Sequence, residues 1–530
     1  MAITEALIRN AFLHGNDIAL TEINPAIREE HGVTWSEFDL VEPNPAKRYR
    51  REMTWREFNE RANRFAHLLL SSGIGRGNKV AILLMNCLEW LPVYFGILKS
   101  GATVADADVL VFGPEFATRM QEAAPRVPRL QAMYFIGDEE DRPAFSQNFE
   151  ERLVHYSADD PQIELRESDD AAIYFSSGTT GFPKAILHNH ESLMAAAETE
   201  QHHHGQTRSD VFLCIPPLYH TGAKMHWFGS LLSGSRAVLL RGVRPDWIMR
   251  TVSEEGCTIV WLLVPWAQDI LDALDRKDLD PREYRLSQWR LMHIGAQPVP
   301  PSLIKRWKGY FPNHLYDTNY GLSESIGPGC VHLGVENIDH VGAIGVPGWQ
   351  WEAEVRGADD KPVTPGTGEV GELCVRGRGL MTCYYKDPDA TAAVLRDGWL
   401  YTGDMAEVDA EGFIFLVDRK KDVIISGGEN LYPVQIEDFL RSNPAIKDAA
   451  VIGLPDERLG EIAAAIIELK EGAQTTEDDI AAFCMDLPRY KRPRKIVFDT
   501  VPRNPTGKIE KPVLRERYGA TRLVARENLR

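Results

Sequence analysis

No stretch of the 530-residue chain reaches the roughly 18 consecutive apolar residues that a membrane-spanning helix needs. The N-terminus, MAITEALIRNAFLHGNDIAL, lacks a basic segment followed by an apolar run, which excludes a secretory signal. Cysteine is sparse: Cys87, Cys214, Cys257, Cys330, Cys374, Cys383 and Cys484 are scattered, with no CxxC pair and no ligand spacing. That pattern points to a reducing compartment and gives no sign of a structural zinc. Positive charge is also short, with 59 Lys and Arg against 77 Asp and Glu, a formal net charge of −18. A general nucleic-acid binder needs a basic face to replace counterions, so the balance argues against that class. The triplet His202–His204 has no neighbouring Cys or acidic ligand pattern and reads as a polar helix-end cluster. What is left is a cytoplasmic, soluble, multi-domain chain.

Its first part alternates helix and strand patterns. Thr54–Gly73 opens with an N-cap Thr and Glu57 three residues on, a capping box, and ends at Gly. KVAILLM (Lys79–Met85) is a short continuous apolar run, the pattern of a buried parallel strand. Between Asp170 and Gly321 the runs AAIYF, DVFLCIP, RAVLL, TIVWLLV, RLMHIG and HLYDTNY are candidate strands with helical segments between several of them. This alternation predicts a layered α/β architecture with largely parallel sheet. From about Gly342, Gly, Pro and short alternating strands predict an antiparallel β ribbon. After DRKKD (Asp418–Asp422) helix and strand signals return, which places a boundary near Lys421: a large domain over 1–420 and a small α+β domain over 421–530.

Four stretches carry chemistry. YFSSGTTGFPK (Tyr174–Lys184) follows a strand and offers hydroxyls and Gly amides to phosphate oxygens. It is not a Walker loop, because Pro183 rather than Gly precedes Lys184 and disfavours a helix starting there. A mobile Ser/Gly turn is the other reading. TNYGLSES (Thr318–Ser325) places an aromatic at a strand end, then a Gly turn, then Ser323 and Glu324, which suits base stacking and a hard oxygen ligand for Mg2+. Taken alone, a strand-to-loop turn with a capping Ser is the better reading. Asp404 and Arg419 fall on adjacent ribbon strands, where a carboxylate can accept from ribose hydroxyls or simply brace a turn. Lys508, in the Pro-flanked loop PRNPTGKIEK, could bring positive charge to a phosphoryl transition state or sit on the surface.

In this order and together, the four motifs resemble the adenylate-forming superfamily: acyl-CoA synthetases, firefly-type luciferases and the adenylation domains of nonribosomal peptide synthetases. AMP-forming carboxylate–CoA ligases are the nearest in kind. The resemblance runs from MTWREFNERANRFAHLL near Met53 to PTGKIEKPVLRER near the end. It implies that a carboxylate attacks the α-phosphate of ATP and that a thiol, normally coenzyme A, then displaces AMP. It assigns Ser176, Ser177, Gly178, Thr179, Thr180, Gly181 and Lys184 to the β- and γ-phosphates, and Glu324 with Thr180 to Mg2+. Gly295, Ala296 and Gln297 match the adenine loop, with Thr318, Asn319, Tyr320 and Gly321 opposite and Ser323 near the α-phosphate. Asp404 and Arg419 match the ribose and hinge-side contacts, Lys421 the hinge, and Lys508 the adenylation lysine. Gly427 and Gly428 of SGGEN match the backbone that approaches the pantetheine thiol after the small domain turns.

By the same resemblance His220 stands at the gate to the acyl site, and Lys224, Trp227, Trp261, Val264 and Trp266 are possible walls. A Trp-rich wall suggests a compact cyclic or aromatic acid; Lys224 is either a polar anchor or, by default, a surface lysine. The basic run Arg489–Lys495 is either a dock for CoA phosphates or a solvated face. A luciferase-like oxygenase and a stand-alone carrier-protein loader share every adenylation motif and stay open as alternatives, as does a homodimer. One departure stands out: after KSGATV the family continues into P-x-N-x-R and a helix, whereas Val104–Ala105 here runs straight into Asp106–Phe112. Either the chain has lost that helix or a segment is omitted. Omission is preferred, because a missing helix would uncover the apolar face of the neighbouring strand. An intact-mass measurement matching the 59.6 kDa of this sequence would exclude omission.

Overall fold

The computed structural model describes residues 1–27, 49–104, 108–176, 184–295, 299–327, 329–427, 429–503 and 509–519. Two sheets form the large body. The first has eight strands, in the spatial order Cys383–Tyr384, Ala185–Asn189, Asp170–Phe175, Thr103–Val104, Lys79–Leu83, Val109–Phe112, Ala132–Phe135, Gln147–Asn148. The second has seven, in the order Leu315–Asp317, Leu291–Gly295, Ile259–Leu263, Val211–Cys214, Arg236–Leu240, Ile18–Ile23, Arg50–Thr54. Both are parallel except at one end, where Ala185–Asn189 runs against two neighbours and Arg50–Thr54 against one. The sequence-based expectation of a layered, largely parallel α/β body is therefore met.

Helices fill the space between the sheets. Helix His190–His204 packs on the first sheet, helix Thr221–Ser233 packs on the second, and the two pack on each other. Helix Trp90–Lys99 has all ten residues buried, as its nearly all-round apolar sequence requires of a helix with no solvent face. Helix Trp55–Ser71 starts where the capping box put it: Thr54 Oγ1 accepts from the Glu57 amide at 3.2 Å, and the Glu57 carboxylate accepts from the Thr54 amide at 2.8 Å. Satisfying these otherwise orphaned amides stabilises the helix by about 1 kcal/mol.

The ribbon is antiparallel, built from Trp351–Arg356, Gly371–Gly377, Trp399–Val408, Leu395–Arg396 and Ile414–Arg419 around its own core. Residues 424–498 form a further five-stranded sheet, whose faces are covered by helices Pro433–Arg441, Glu477–Phe483 and Lys511–Gly519.

The departure after Val104 has a structural signature. Val104 and Val109 are both in register with Val80, from opposite sides of the Lys79–Leu83 strand. Only residues 105–108 join these two parallel strands on either side of it, a connection that ordinarily needs a crossover of about a dozen. Ala81, Ile82 and Leu83 on that central strand are half-buried and line the main cleft.

Candidate active site

A cleft of about 3050 Å³ runs between the two sheets, the ribbon and the C-terminal sheet. Two chains of contacts meet in it. In the first, Tyr320 donates from its hydroxyl to Asp404 Oδ2 at 2.5 Å, and Asp404 Oδ1 lies 3.0 Å from Arg419 Nε. The ribbon register places Asp404 directly opposite Arg419. Burial and the neighbouring carboxylate push the Tyr320 hydroxyl well above its usual range, so it stays a donor. The Asp404 charge raises Arg419 as well.

In the second chain, Tyr384 donates to Glu324 Oε1 at 2.8 Å, while the Lys184 ammonium lies 4.3 Å from the centre of the Tyr384 ring. Tyr384 thus touches both the predicted phosphate lysine and the predicted metal carboxylate. Sequence reasoning missed it. It sits on a two-residue strand that crosses from the ribbon to pair with Ile186 on the first sheet, a contact with no local signature.

Ser323 is held from two sides: its carbonyl accepts from His188 Nε2 at 2.8 Å, and its Oγ accepts from Thr221 Oγ1 at 3.3 Å. Burial lowers His188 to about 4, so the ring is neutral. Thr318, Asn319, Tyr320, Gly321, Ser323 and Glu324 all line the cleft. Gly295 ends the strand behind them, where an added Cβ would stand 3.8 Å from Asn319 Oδ1. Ser177, Gly178, Thr179, Thr180, Gly181, Ala296, Gln297, Gly428 and Lys508 lie outside the described residues. The bases of two of their loops are defined. The Ser176 amide donates to the Lys184 carbonyl at 3.1 Å, and Glu510 N donates to Pro502 O at 2.9 Å. Ser176, Lys184, Arg503 and Ile509 open onto the same cleft. Lys421 is on its wall too, with its amine lowered by desolvation, whereas Gly427 is not on the wall.

The acyl-site expectations need correcting in part. His220 lines the cleft, its ring 4.6 Å from that of Tyr219, and so do Trp261 and Val264. Trp227 does not: it is fully buried against Phe58 and Phe95 and belongs to the core. Trp266 is also buried away from the wall. The second wall indole is Trp90, which the sequence reading passed over. Lys224 is no surface lysine. It is 1% exposed, with its ammonium 4.2, 5.0 and 5.1 Å from the Tyr174, Tyr94 and Trp90 ring centres. Desolvation holds it well below the usual lysine range. The helix-end reading of His202–His204 is half right: the triplet ends helix His190–His204, but His204 is fully buried and ion-paired to Glu200.

The family model for AMP-binding enzymes matches residues 41–385, and that for the AMP-binding enzyme C-terminal domain matches residues 435–508. The chain belongs to the AMP-binding enzyme family. Among its relatives is the long-chain-fatty-acid–CoA ligase FadD13 of Mycobacterium tuberculosis, 33% identical over 87% of this chain and 92% of that one. A 2-succinylbenzoate–CoA ligase of Bacillus anthracis is 30% identical over 84% and 89%. The fold matches the anthranilate CoA ligase AuaEII, solved with anthranoyl-AMP, at a TM-score of 0.83, 24% identity, and coverage of 98% and 97%. The family member described here is an enzyme whose relatives are CoA ligases, with the large and small domains of adenylate-forming folds. Among its described residues no helix is long and apolar enough to cross a membrane.

Proposed function

We propose that the chain is an ATP-dependent, AMP-forming carboxylate–CoA ligase acting through an acyl adenylate on a compact cyclic, aromatic or medium-chain acid. The observation that carries this reading is the convergence of Tyr320–Asp404–Arg419 and Lys184–Tyr384–Glu324 on one cleft. In the first half-reaction a substrate carboxylate oxygen attacks the α-phosphorus of ATP and the bond to pyrophosphate breaks. In the second the CoA thiolate attacks the acyl carbon and AMP leaves. The barrier to the first is the approach of two anions, which positioning and fixed positive charge must overcome.

Asp404 and Arg419 suit a ribose, the carboxylate accepting from its hydroxyls while Arg419 holds that carboxylate in place. Thr318–Gly321 and Gly295–Gln297 flank the base. Ser323, fixed by His188 and Thr221, is aimed near the α-phosphate. Ser176 through Gly181 and Lys184 hold the leaving pyrophosphate, and Lys508 supplies charge to the transition state. Glu324, with Thr180, would hold Mg2+, whose contribution when bound is to neutralise phosphate oxygens.

Lys421 is the hinge between domains 1–420 and 421–530. Arg503 and Ile509, which flank the Lys508 loop, are on the cleft wall while Gly427 is off it, an arrangement that suits the first half-reaction. For the second, Gly427 and Gly428 replace that loop, and the exposed Arg489 and Arg494 would meet CoA phosphates. Their neighbours Lys491 and Arg492 are already engaged with Gln435 and with backbone carbonyls. For the acid, Trp90 and Trp261 offer flat walls, His220 the gate, and Lys224 a polar anchor at the aromatic end.

The test is AMP and pyrophosphate release from ATP across a panel of acids, with and without CoA. CoA-dependent turnover with a subset of acids supports the ligase. AMP release under multiple turnover that ignores CoA with every acid overturns it.

A further inference from the structure

Against the Thr318–Tyr320 turn lies a cluster that none of the ligase chemistry uses. Glu200 and His204 sit one turn apart on helix His190–His204, His226 comes from helix Thr221–Ser233, and His293, Asp317 and His332 come from three strands. None of the six exposes more than 2% of its surface. The turn touches the cluster directly, because Asn319 Nδ2 donates to His226 Nε2 at 3.2 Å.

The hydrogen-bond partners assign the ring protons. His226 Nδ1 lies 2.5 Å from the Gly222 carbonyl and must donate to it, which leaves Nε2 an acceptor. His293 Nε2, 2.9 Å from His226 Nε2, is then the donor, and His293 Nδ1 carries a lone pair. On the other side His204 Nδ1 lies 2.7 Å from Glu200 Oε1, a close charge contact without hydrogen-bond alignment, so that contact does not fix the His204 proton. These two nitrogens, His204 Nε2 and His293 Nδ1, are 2.9 Å apart. At that distance the pair is joined either by a proton on His204 Nε2 or by a metal ion between the two rings.

A third donor decides between the two. Asp317 Oδ2 is fully buried and makes no hydrogen bond, yet it lies 3.5 Å from His204 Nε2, 3.9 Å from His293 Nδ1 and 3.6 Å from His332 Nδ1. A proton shared by the imidazoles leaves that oxygen unsatisfied. It also sets one positive charge against two buried carboxylates, with which no lysine or arginine pairs among the described residues. A divalent ion meets both needs. At the about 2.0–2.1 Å of Zn–N and Zn–O bonds it reaches all three corners of a 2.9, 3.5 and 3.9 Å triangle. Metal-binding histidines also characteristically donate their other N–H to a carboxylate or another acceptor, as His293 does to His226.

We propose that His204 Nε2, His293 Nδ1 and Asp317 Oδ2 bind one divalent transition-metal ion of the zinc class, separate from the Mg2+ of the nucleotide chemistry, with His332 as the candidate fourth donor. The ion ties helix His190–His204 to the two strands behind the nucleotide turn, and through His226 and Asn319 it fixes that turn. Imidazole with a single carboxylate favours Zn2+, Co2+ or Ni2+ over Mg2+ or Ca2+.

The test uses the full-length protein without a histidine tag. Mass-spectrometric metal analysis after gel filtration should find about one equivalent of a transition metal per chain, and chelator-treated protein should melt at a lower temperature until Zn2+ is returned. One equivalent of Co2+ added to the chelator-treated chain should give the visible absorption of a four-coordinate site. Asp317→Asn and His204→Gln should lose the metal, while His203→Gln on the same helix keeps it. If the triad variants do not fold, the Co2+ titration of the unsubstituted chain decides alone. A chain that carries no transition metal as purified and takes up neither Zn2+ nor Co2+ overturns the proposal, leaving a shared proton between the imidazoles.

Discussion

Tyr384 donates a 2.8 Å hydrogen bond to Glu324 from a strand sixty residues further along the chain. The same ring lies under the Lys184 ammonium. It therefore sets the distance between a carboxylate and an ammonium that the proposed mechanism aims at the triphosphate.

Tyr384→Phe separates these two roles, since it keeps the ring under Lys184 and removes only the donor to Glu324. A hydrogen bond to a charged group contributes about 1.5–3 kcal/mol, and about 1.4 kcal/mol is tenfold in an equilibrium or rate. The expected outcome is a loss of about tenfold or more in kcat/KM for acid-dependent ATP–pyrophosphate exchange, with little change in melting temperature. Undiminished exchange at saturating and limiting Mg2+ would show that Tyr384 does not orient Glu324.

Tyr320→Phe probes the other chain of contacts. The Tyr320 hydroxyl is buried and held by Asp404, so its removal leaves that carboxylate to Arg419 alone. If Asp404 binds ribose, the variant should raise KM for ATP by about tenfold, again from a charge-assisted bond of about 1.5–3 kcal/mol, and lower kcat far less. A selective loss in kcat with KM for ATP unchanged would move Asp404 out of ground-state nucleotide binding.

The buried Lys224 makes a prediction about stability and pH together. Its folded-state titration lies below that of the unfolded chain because burial disfavours the ammonium. Between the folded and unfolded values the unfolded state binds more protons, so this group's contribution makes wild-type stability rise with pH. Lys224→Met keeps the length and removes the titration. The variant should melt about 1–3 °C higher near neutral pH, with the gap shrinking as pH rises toward the ordinary lysine range. It should also lose turnover with acids that carry a second polar group. A gap independent of pH would mean that Lys224 is not buried as a titrating amine.

Much of this was legible from local pattern. The Thr54 capping box, the continuous apolar strands and the ribbon hairpin declare themselves within windows of a few residues, because caps and side-chain periodicity act over one turn or one strand. Asp404 and Arg419 were legible as partners for the same reason, since hairpin register is set by the turn between them. Tyr384, Trp90 and the burial of Lys224 were not, because each depends on elements far apart in sequence that meet only once both sheets have closed. Trp227 was misplaced because an indole fits a core as well as a pocket wall, and on a helix buried on nearly every side only the neighbours decide. The His204 cluster failed for a further reason: its carboxylates lie four and more than a hundred residues away, so no ligand spacing exists to read.

Lys508→Ala distinguishes an alternating mechanism from a fixed one. The residues flanking Lys508 line the nucleotide cleft while Gly427 stands off it, so one half-reaction should depend on Lys508 and the other on the glycine pair. In acid-dependent ATP–pyrophosphate exchange the variant should fall by about two orders of magnitude or more, the scale of losing one preorganised charge at a transition state. Supplied with chemically made acyl adenylate and CoA, it should still form thioester at close to the wild-type rate, because the amine plays no part once the phosphoanhydride is broken. Gly428→Ala should show the converse, with exchange kept and thioester formation lost to the added methyl on the pantetheine path. Equal loss of both half-reactions in Lys508→Ala would mean that one fixed arrangement of the two domains serves both steps, and that Lys421 does not act as a hinge.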